Sequence, residues 1–220
     1  MAMGLLYGIE TALNVWRHRV HAMRKGPIGA WFRDNGEELM WRDLPITAKD
    51  VCLDVGGYRG DWTAELLVRY GAPSIVFEAV PAFADKIAER FTHNTLVTVR
   101  AAAIGTRTGK GEIALADDGS SFHGAGPPLS IDVIDVAEVF TAHPLIGCMK
   151  LNIEGAEYDL LERMAELNLL DRVATYRIQF HGGENAVSRR QAIQERLSRT
   201  HVSVIDYPFV WERWDRRRVA

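Results

Sequence analysis

Cysteine, lysine and long apolar runs are what this 220-residue sequence has least of. Its two cysteines, Cys52 and Cys148, each sit inside an apolar stretch and read as small reduced core residues, not as a bridge or a metal site. No segment approaches the roughly 18 consecutive apolar residues of a membrane span. The N-terminus shows no secretory pattern of charged start, apolar middle and small-residue cleavage site, so a cytoplasmic address is expected. Positive charge is not in excess: 26 Lys+Arg against 29 Asp+Glu leave −3, so no overall field draws the chain to nucleic acid or anionic lipid.

What is present is ordinary in amount. An apolar fraction of 47% and a charged fraction of 25% exclude a disordered chain, a collagen-like repeat and a disulfide-stapled miniprotein. The length suits one domain that buries roughly 70% of its unfolded surface. Residues 4–24 mix Leu5, Leu6, Ile9, Leu13, Val15 and Trp16 with Arg17, His18, Arg19 and Arg24. That pattern predicts an amphipathic helix packed on the body or on a partner. Gly26-Pro27 then punctuates, and 26–49 reads as an irregular lead-in. Residues 1–49 are thus taken as an N-terminal extension and 50–220 as the main domain.

From residue 51 the pattern is regular. Strand-length apolar runs occur at 51–55, 74–79, 96–99, 147–153 and 173–180. Between them, Trp62, Leu66, Leu67 and Tyr70 share a helical face, as do Phe83, Ile87 and Phe91, and Leu160, Leu161, Met164 and Leu167. Ser188 and Gln191 fit a capping box for a further helix carrying Ile193 and Leu197. Strands alternating with helices predict an α/β domain with a mostly parallel sheet covered on both faces. Residues 202–207 and 209–214 around Pro208 predict a closing hairpin whose last strand runs antiparallel. The glycine-rich stretch 105–128 is expected to form a strand pair or loop over one sheet edge.

The strongest local signal is Asp54-Val-Gly56-Gly57-Tyr58-Arg59-Gly60, which follows a strand and opens a helix. It fails the dinucleotide pattern G-x-G-x-x-G at two of three positions, since Tyr58 and Asp61 stand where glycines belong, and no Gly-Lys-Ser/Thr follows for a phosphate-gripping loop. Asp54 and Asp61 would repel a pyrophosphate and suit a ligand with positive charge, such as the ammonium and sulfonium of S-adenosylmethionine. Glu78 ends the second strand, where a carboxylate accepts hydrogen bonds from ribose hydroxyls. Ala102 and Ala103 leave room for an adenine ring.

A second constellation, Lys150-Leu-Asn152-Ile-Glu154-Gly155-Ala-Glu157, spans a strand end and a helix start, and Gln179-Phe180-His181 places an imidazole on the same rim. Together with the Asp54–Gly60 loop, Phe77-Glu78 with Pro81, and Leu-Ser-Ile-Asp at 129–132, this set resembles the FkbM family of S-adenosylmethionine-dependent methyltransferases over roughly residues 50–215. The resemblance implies a class I, Rossmann-like sheet of seven strands with the last antiparallel. It also implies methyl transfer to a hydroxyl of a small molecule or carbohydrate (a sugar, oligosaccharide or polyketide-type acceptor).

The expected cofactor contacts are Asp54, Gly56, Gly57, Tyr58, Gly60, Asp61, Trp62, Glu78, Ala79, Ala102, Ala103 and Asn152. Ser120, Ser121, His123 and Glu157 are expected on the substrate side. Asn152 departs from the Asp common in the family, and Tyr58 from the Asn. Because a sugar hydroxyl is a poor nucleophile at neutral pH, a base or a metal is needed. His181 is the first candidate by titration range, with Glu154 next. Convergence of Asn152, Glu154 and His181 on a divalent ion such as Mg²⁺ stays open, as does a homodimer. Trp31, Trp41, Trp211 and Trp214 are either packing residues or platforms for a sugar. The competing readings are a protein or nucleic-acid methyltransferase on the same fold and a non-catalytic nucleotide-binding module.

Overall fold

The computed structural model describes residues 26–114 and 127–217. The expected N-terminal helix, Ser120, Ser121 and His123 lie outside the described residues.

Seven strands form the main sheet: β1 (Cys52–Val55), β2 (Ser74–Phe77), β3 (Val97–Arg100), β7 (Ile146–Leu151), β8 (Val173–Ile178), β9 (His201–Tyr207) and β10 (Trp211–Arg216). Their order is β3-β2-β1-β7-β8-β10-β9. β1, β2, β3, β7 and β8 are mutually parallel, and β10 is antiparallel to both neighbours. This is the sheet that the strand–helix alternation and the closing hairpin predict. Three further strands, β4 (Ala103–Gly105), β5 (Gly109–Ala114) and β6 (Pro128–Asp135), make a small second sheet in the order β4-β6-β5.

The helices are α1 (Pro27–Arg33), α2 (Gly36–Trp41), α3 (Asp61–Tyr70), α4 (Pro81–Arg90), α5 (Val136–Ala142), α6 (Glu157–Glu166) and α7 (Ala186–Leu197). Because side chains alternate along a strand, β1 and β7 feed two cores. Leu53, Val55, Met149 and Leu151 pack with Phe140 of α5, Leu160, Leu161 and Met164 of α6, and Ile193 and Leu197 of α7. Cys52 and Cys148, in register on adjacent strands, pack on the opposite face with Trp41 of α2 and Leu66 of α3. Both thiols are free and buried, and burial pushes them up in pKa, Cys52 to about 12.

Two expectations need correction. The lead-in over 26–49 is not irregular: it contains α1 and α2, whose Trp31, Met40 and Trp41 are buried against the sheet. They were illegible because six or seven residues show too little periodicity. Nor does Ser188 cap its helix. Asn185 takes the N-cap position in the left-handed conformation, and Ser188, inside α7, donates its hydroxyl proton to the Asn185 carbonyl.

Candidate active-site cleft

β1 runs between β2, which continues the sheet one way, and β7, which continues it the other. In an open parallel sheet such a reversal leaves a crevice beyond the strand ends. Here the crevice is lined by Gly56 and Tyr58 of the loop after β1, by Phe77, Glu78, Ala79, Val80 and Phe83 around the end of β2, by Ala103, Ile104 and Ile113 of the second sheet, and by Asn152, Ile153, Glu154 and Ala156 after β7.

The loop is shaped by contacts that leave no space for side chains. Gly56 has φ +83°, and a Cβ there would lie 2.0 Å from the Asn152 carbonyl oxygen. A Cβ on Gly57 would come 2.3 Å from Val76 Cγ1. Gly57 and Gly60 thus serve packing against β2 and α4 and are not among the cleft-lining residues. Tyr58 follows at φ +51°, its ring edge-on to Phe83 at 5.1 Å.

Charge in the loop is arranged differently from the sequence reading. Asp54 is fully buried beneath the loop: Oδ2 accepts from the Thr63 hydroxyl at 2.8 Å and Oδ1 from Lys150 Nζ at 3.0 Å. The same ammonium donates to the Gly56 carbonyl at 2.5 Å. Asp61 points to solvent, 74% exposed, and pairs with Arg90 at 2.5 Å. Neither carboxylate faces the cleft, because each is taken by a cation that local sequence does not reveal.

Trp62 is also turned away, stacked on Trp41 at 5.7 Å on the far side of the sheet. Ala102 is buried behind Ala103, which does line the cleft. Trp31, Trp41 and Trp214 are buried in packing, so none of the three offers an open platform.

Glu78 is held at the mouth of β2 by two backbone donors. Its Oε2 accepts from Tyr58 N at 2.8 Å and its Oε1 from Val80 N at 2.9 Å. Burial pushes this carboxyl up in pKa, outweighing the two N–H groups and Lys150, which pull it down. Across the cleft, the Asn152 Oδ1 is buried without a hydrogen-bond partner among the described residues. An orphaned buried acceptor is costly unless a ligand or water donates to it.

The rim after β7 is a chain of three groups. Glu157, the first residue of α6, is fully buried and so does not face a substrate. Its Oε2 accepts from Gly155 N at 2.9 Å, and its Oε1 from His181 N at 2.6 Å, with His181 Nδ1 at 3.0 Å. His181 Nε2 lies 3.5 Å from Glu154 Oε1. Burial pulls the imidazole down, but the hydrogen bonds and charges of Glu154 and Glu157 outweigh it and push His181 up to about 9. The His181 hydrogen bond in turn pulls Glu154 below the ordinary carboxylate range. His181 therefore differs from the neutral imidazole expected of a general base at pH 7.

Both ring nitrogens of His181 face carboxylates, Nδ1 that of Glu157 and Nε2 that of Glu154. No group of three or more His, Cys, Asp or Glu side chains among the described residues is arranged to hold an ion.

Lys150 and Arg177 are what sequence reasoning missed. In register across β1, β7, β8 and β10 stand Asp54, Lys150, Arg177 and Arg213. Arg177 is 2% exposed, stacks on Trp41 at 4.0 Å and pairs through Nη2 with Glu37 at 3.9 Å; its Nε and Nη1 have no hydrogen-bond partner among the described residues. A cation inside an alternating strand is visible in sequence, but its neighbours depend on inter-strand register.

No protein-family model matches the chain, and no curated protein matches it significantly. Solved structures do resemble it in chain path. A provisional rRNA-methylase from Clostridium thermocellum shares 9% identity over 83% of this chain and 96% of its own, with TM-score 0.49. The N-methyltransferase NodS from Bradyrhizobium japonicum shares 12% over 86% and 98%, with TM-score 0.48. A precorrin-6y C5,15-methyltransferase from Geobacter metallireducens shares 10% over 80% and 84%, with TM-score 0.45. At these identities the likeness carries no information about chemistry. Among the described residues no helix is long and apolar enough to cross a membrane.

Proposed function

We propose that this protein is an S-adenosylmethionine-dependent O-methyltransferase of the FkbM type, acting on a hydroxyl of a small molecule or carbohydrate. The observation that carries the reading is the polarity of the cleft. Among the described residues its only charged lining side chains are Glu78 and Glu154, and no lysine or arginine lines it. Such a cleft repels phosphates and suits a nucleoside that is itself a cation.

The residues present fit that cofactor. Glu78, already steadied by Tyr58 N and Val80 N, keeps lone pairs for two ribose hydroxyls. Val80, Phe83, Ile104 and Ile113 supply an apolar slot for an adenine ring. The orphaned Asn152 Oδ1 can accept from an ammonium group. When bound, the cofactor supplies an electrophilic methyl group on a sulfonium. The protein's part is to align the acceptor oxygen with it and to receive the hydroxyl proton.

Reading the acceptor as a small molecule or glycan and not a polyanion has a geometric support. The exposed arginines Arg196, Arg199, Arg216 and Arg217 gather around Asp171 and Thr200, beside the start of β8. The cleft is at the other end of the strands, so a polyanion lying on those arginines would be held away from it.

Calorimetry with S-adenosylmethionine, S-adenosylhomocysteine and NAD tests the cofactor. Binding of the first two is expected; binding of NAD alone would refute the reading. Transfer of a radiolabelled methyl group into a fractionated extract, with and without a chelator, then identifies the acceptor class and tests for a metal requirement.

A further inference from the structure

We propose that His181 is a positioning residue and Glu154 the proton acceptor: the buried Glu157 grips the imidazole from the protein side, and the imidazole fastens the Glu154 carboxylate at the cleft. This rests on the methyl-transfer reading above and assigns the roles within it.

A carboxylate only accepts hydrogen bonds, so the contact of Glu157 Oε1 with Nδ1 at 3.0 Å fixes a proton on that nitrogen. The same oxygen accepts from the His181 backbone at 2.6 Å, and Tyr158 donates its hydroxyl proton to the His181 carbonyl at 2.6 Å. Ring and backbone are therefore held together. With Nε2 turned to Glu154, neither nitrogen keeps a lone pair for a substrate.

The charged groups around the ring are Glu154 and Glu157, with Arg189 beyond the Tyr158 ring at 5.0 Å. Two carboxylates against one imidazole favour its charged form. Glu154 occupies the left-handed region at φ +53°, followed by Gly155 at φ +103°, whose N–H returns to Glu157. A non-glycine residue in that conformation is strained and persists where the surroundings impose it. Here the turn places Glu154 on the cleft lining with 39% of its side chain exposed.

A carboxylate whose pKa is lowered is a weak base, and a weak base suffices. As the acceptor oxygen's lone pair forms the bond to carbon, the carbon–sulfur pair returns to sulfur, and the oxygen becomes strongly acidic. Its O–H bond then breaks, the pair stays on oxygen, and the proton passes to Glu154 and on to solvent.

Imidazole NMR on the full chain without cofactor tests this, with His181→Asn used to assign the signal. His181 is expected to stay doubly protonated through neutral pH, with a hydrogen-bonded Nδ1 proton and a midpoint of about 9. Glu157→Gln is expected to lower that midpoint by about one unit or more and to weaken the Nδ1 proton signal. Glu154→Gln is expected to lower the midpoint while the Nδ1 proton persists. A wild-type midpoint near the ordinary 6.5, or a folded Glu157→Gln variant with an unchanged midpoint, overturns the proposal. Should Glu157→Gln fail to fold, an unchanged midpoint in folded Glu154→Gln overturns it equally. Loss of the methyl-transfer reading would appear elsewhere, as failure to bind S-adenosylmethionine with these titrations intact.

Discussion

Lys150 reaches across from β7 to Asp54 on β1, its Nζ 3.0 Å from Oδ1, with both side chains sealed from solvent. Lys150→Met leaves Asp54 buried without its cation. Breaking a buried pair from one side costs about 3–5 kcal/mol, whereas removing both charges restores much of the loss. Chemical denaturation is expected to show that large loss for the single variant and a partial recovery in Asp54→Asn/Lys150→Met. Equal midpoints for wild type and Lys150→Met would contradict it.

Glu78→Ala is expected to weaken S-adenosylmethionine binding by about 1.5–3 kcal/mol, the range for hydrogen bonds to a charged group. It also frees the N–H groups of Tyr58 and Val80, so a fall in melting temperature is expected alongside. Calorimetry reads the first effect and thermal melting the second. Unchanged affinity in a folded variant removes Glu78 from the site.

The imidazole of His181 keeps its proton in the folded chain up to about 9 and, by its ordinary value, loses it near 6.5 in the unfolded chain. Between those values the folded state binds more protons, so stability falls as pH rises. The full contribution is expected below pH 6.5 and its loss is complete above about 9. Melting curves across that window should slope downward in wild type and less so in His181→Asn. Parallel slopes would show that the imidazole is not held charged.

Arg177→Met is expected to be neutral or to stabilise by up to about 2 kcal/mol, because it removes a buried guanidinium with two unsatisfied nitrogens and keeps an unbranched apolar stem. The lost stacking on Trp41 works against this by a smaller amount. Burial already pulls Arg177 down to about 10. A loss above about 2 kcal/mol would show that the Glu37 ion pair at 3.9 Å and the stacking on Trp41 and Trp62 outweigh the unsatisfied nitrogens.

The five parallel strands β1, β2, β3, β7 and β8 were legible because apolar runs bounded by glycine, proline and helical stripes leave few alternatives, whereas β4 and β6 of the second sheet were not read as strands. The antiparallel hairpin was legible from Pro208 between two apolar segments. The cleft was legible in outline, as the ends of the strands carrying Glu78 and Asn152. What stayed hidden is pairing across long separations. Asp54 reads as a ligand-facing carboxylate until Lys150, 96 residues away, is set beside it. His181 reads as a free base until Glu157 closes on its Nδ1. Charges in a sequence carry signs but not neighbours.

The Gly56 turn and the Asn152 carbonyl touch so closely that not even one methyl group fits between them. Any side chain at position 56 would push the loop after β1 and the end of β7 apart, so the width of the cleft between those two walls depends on a glycine there.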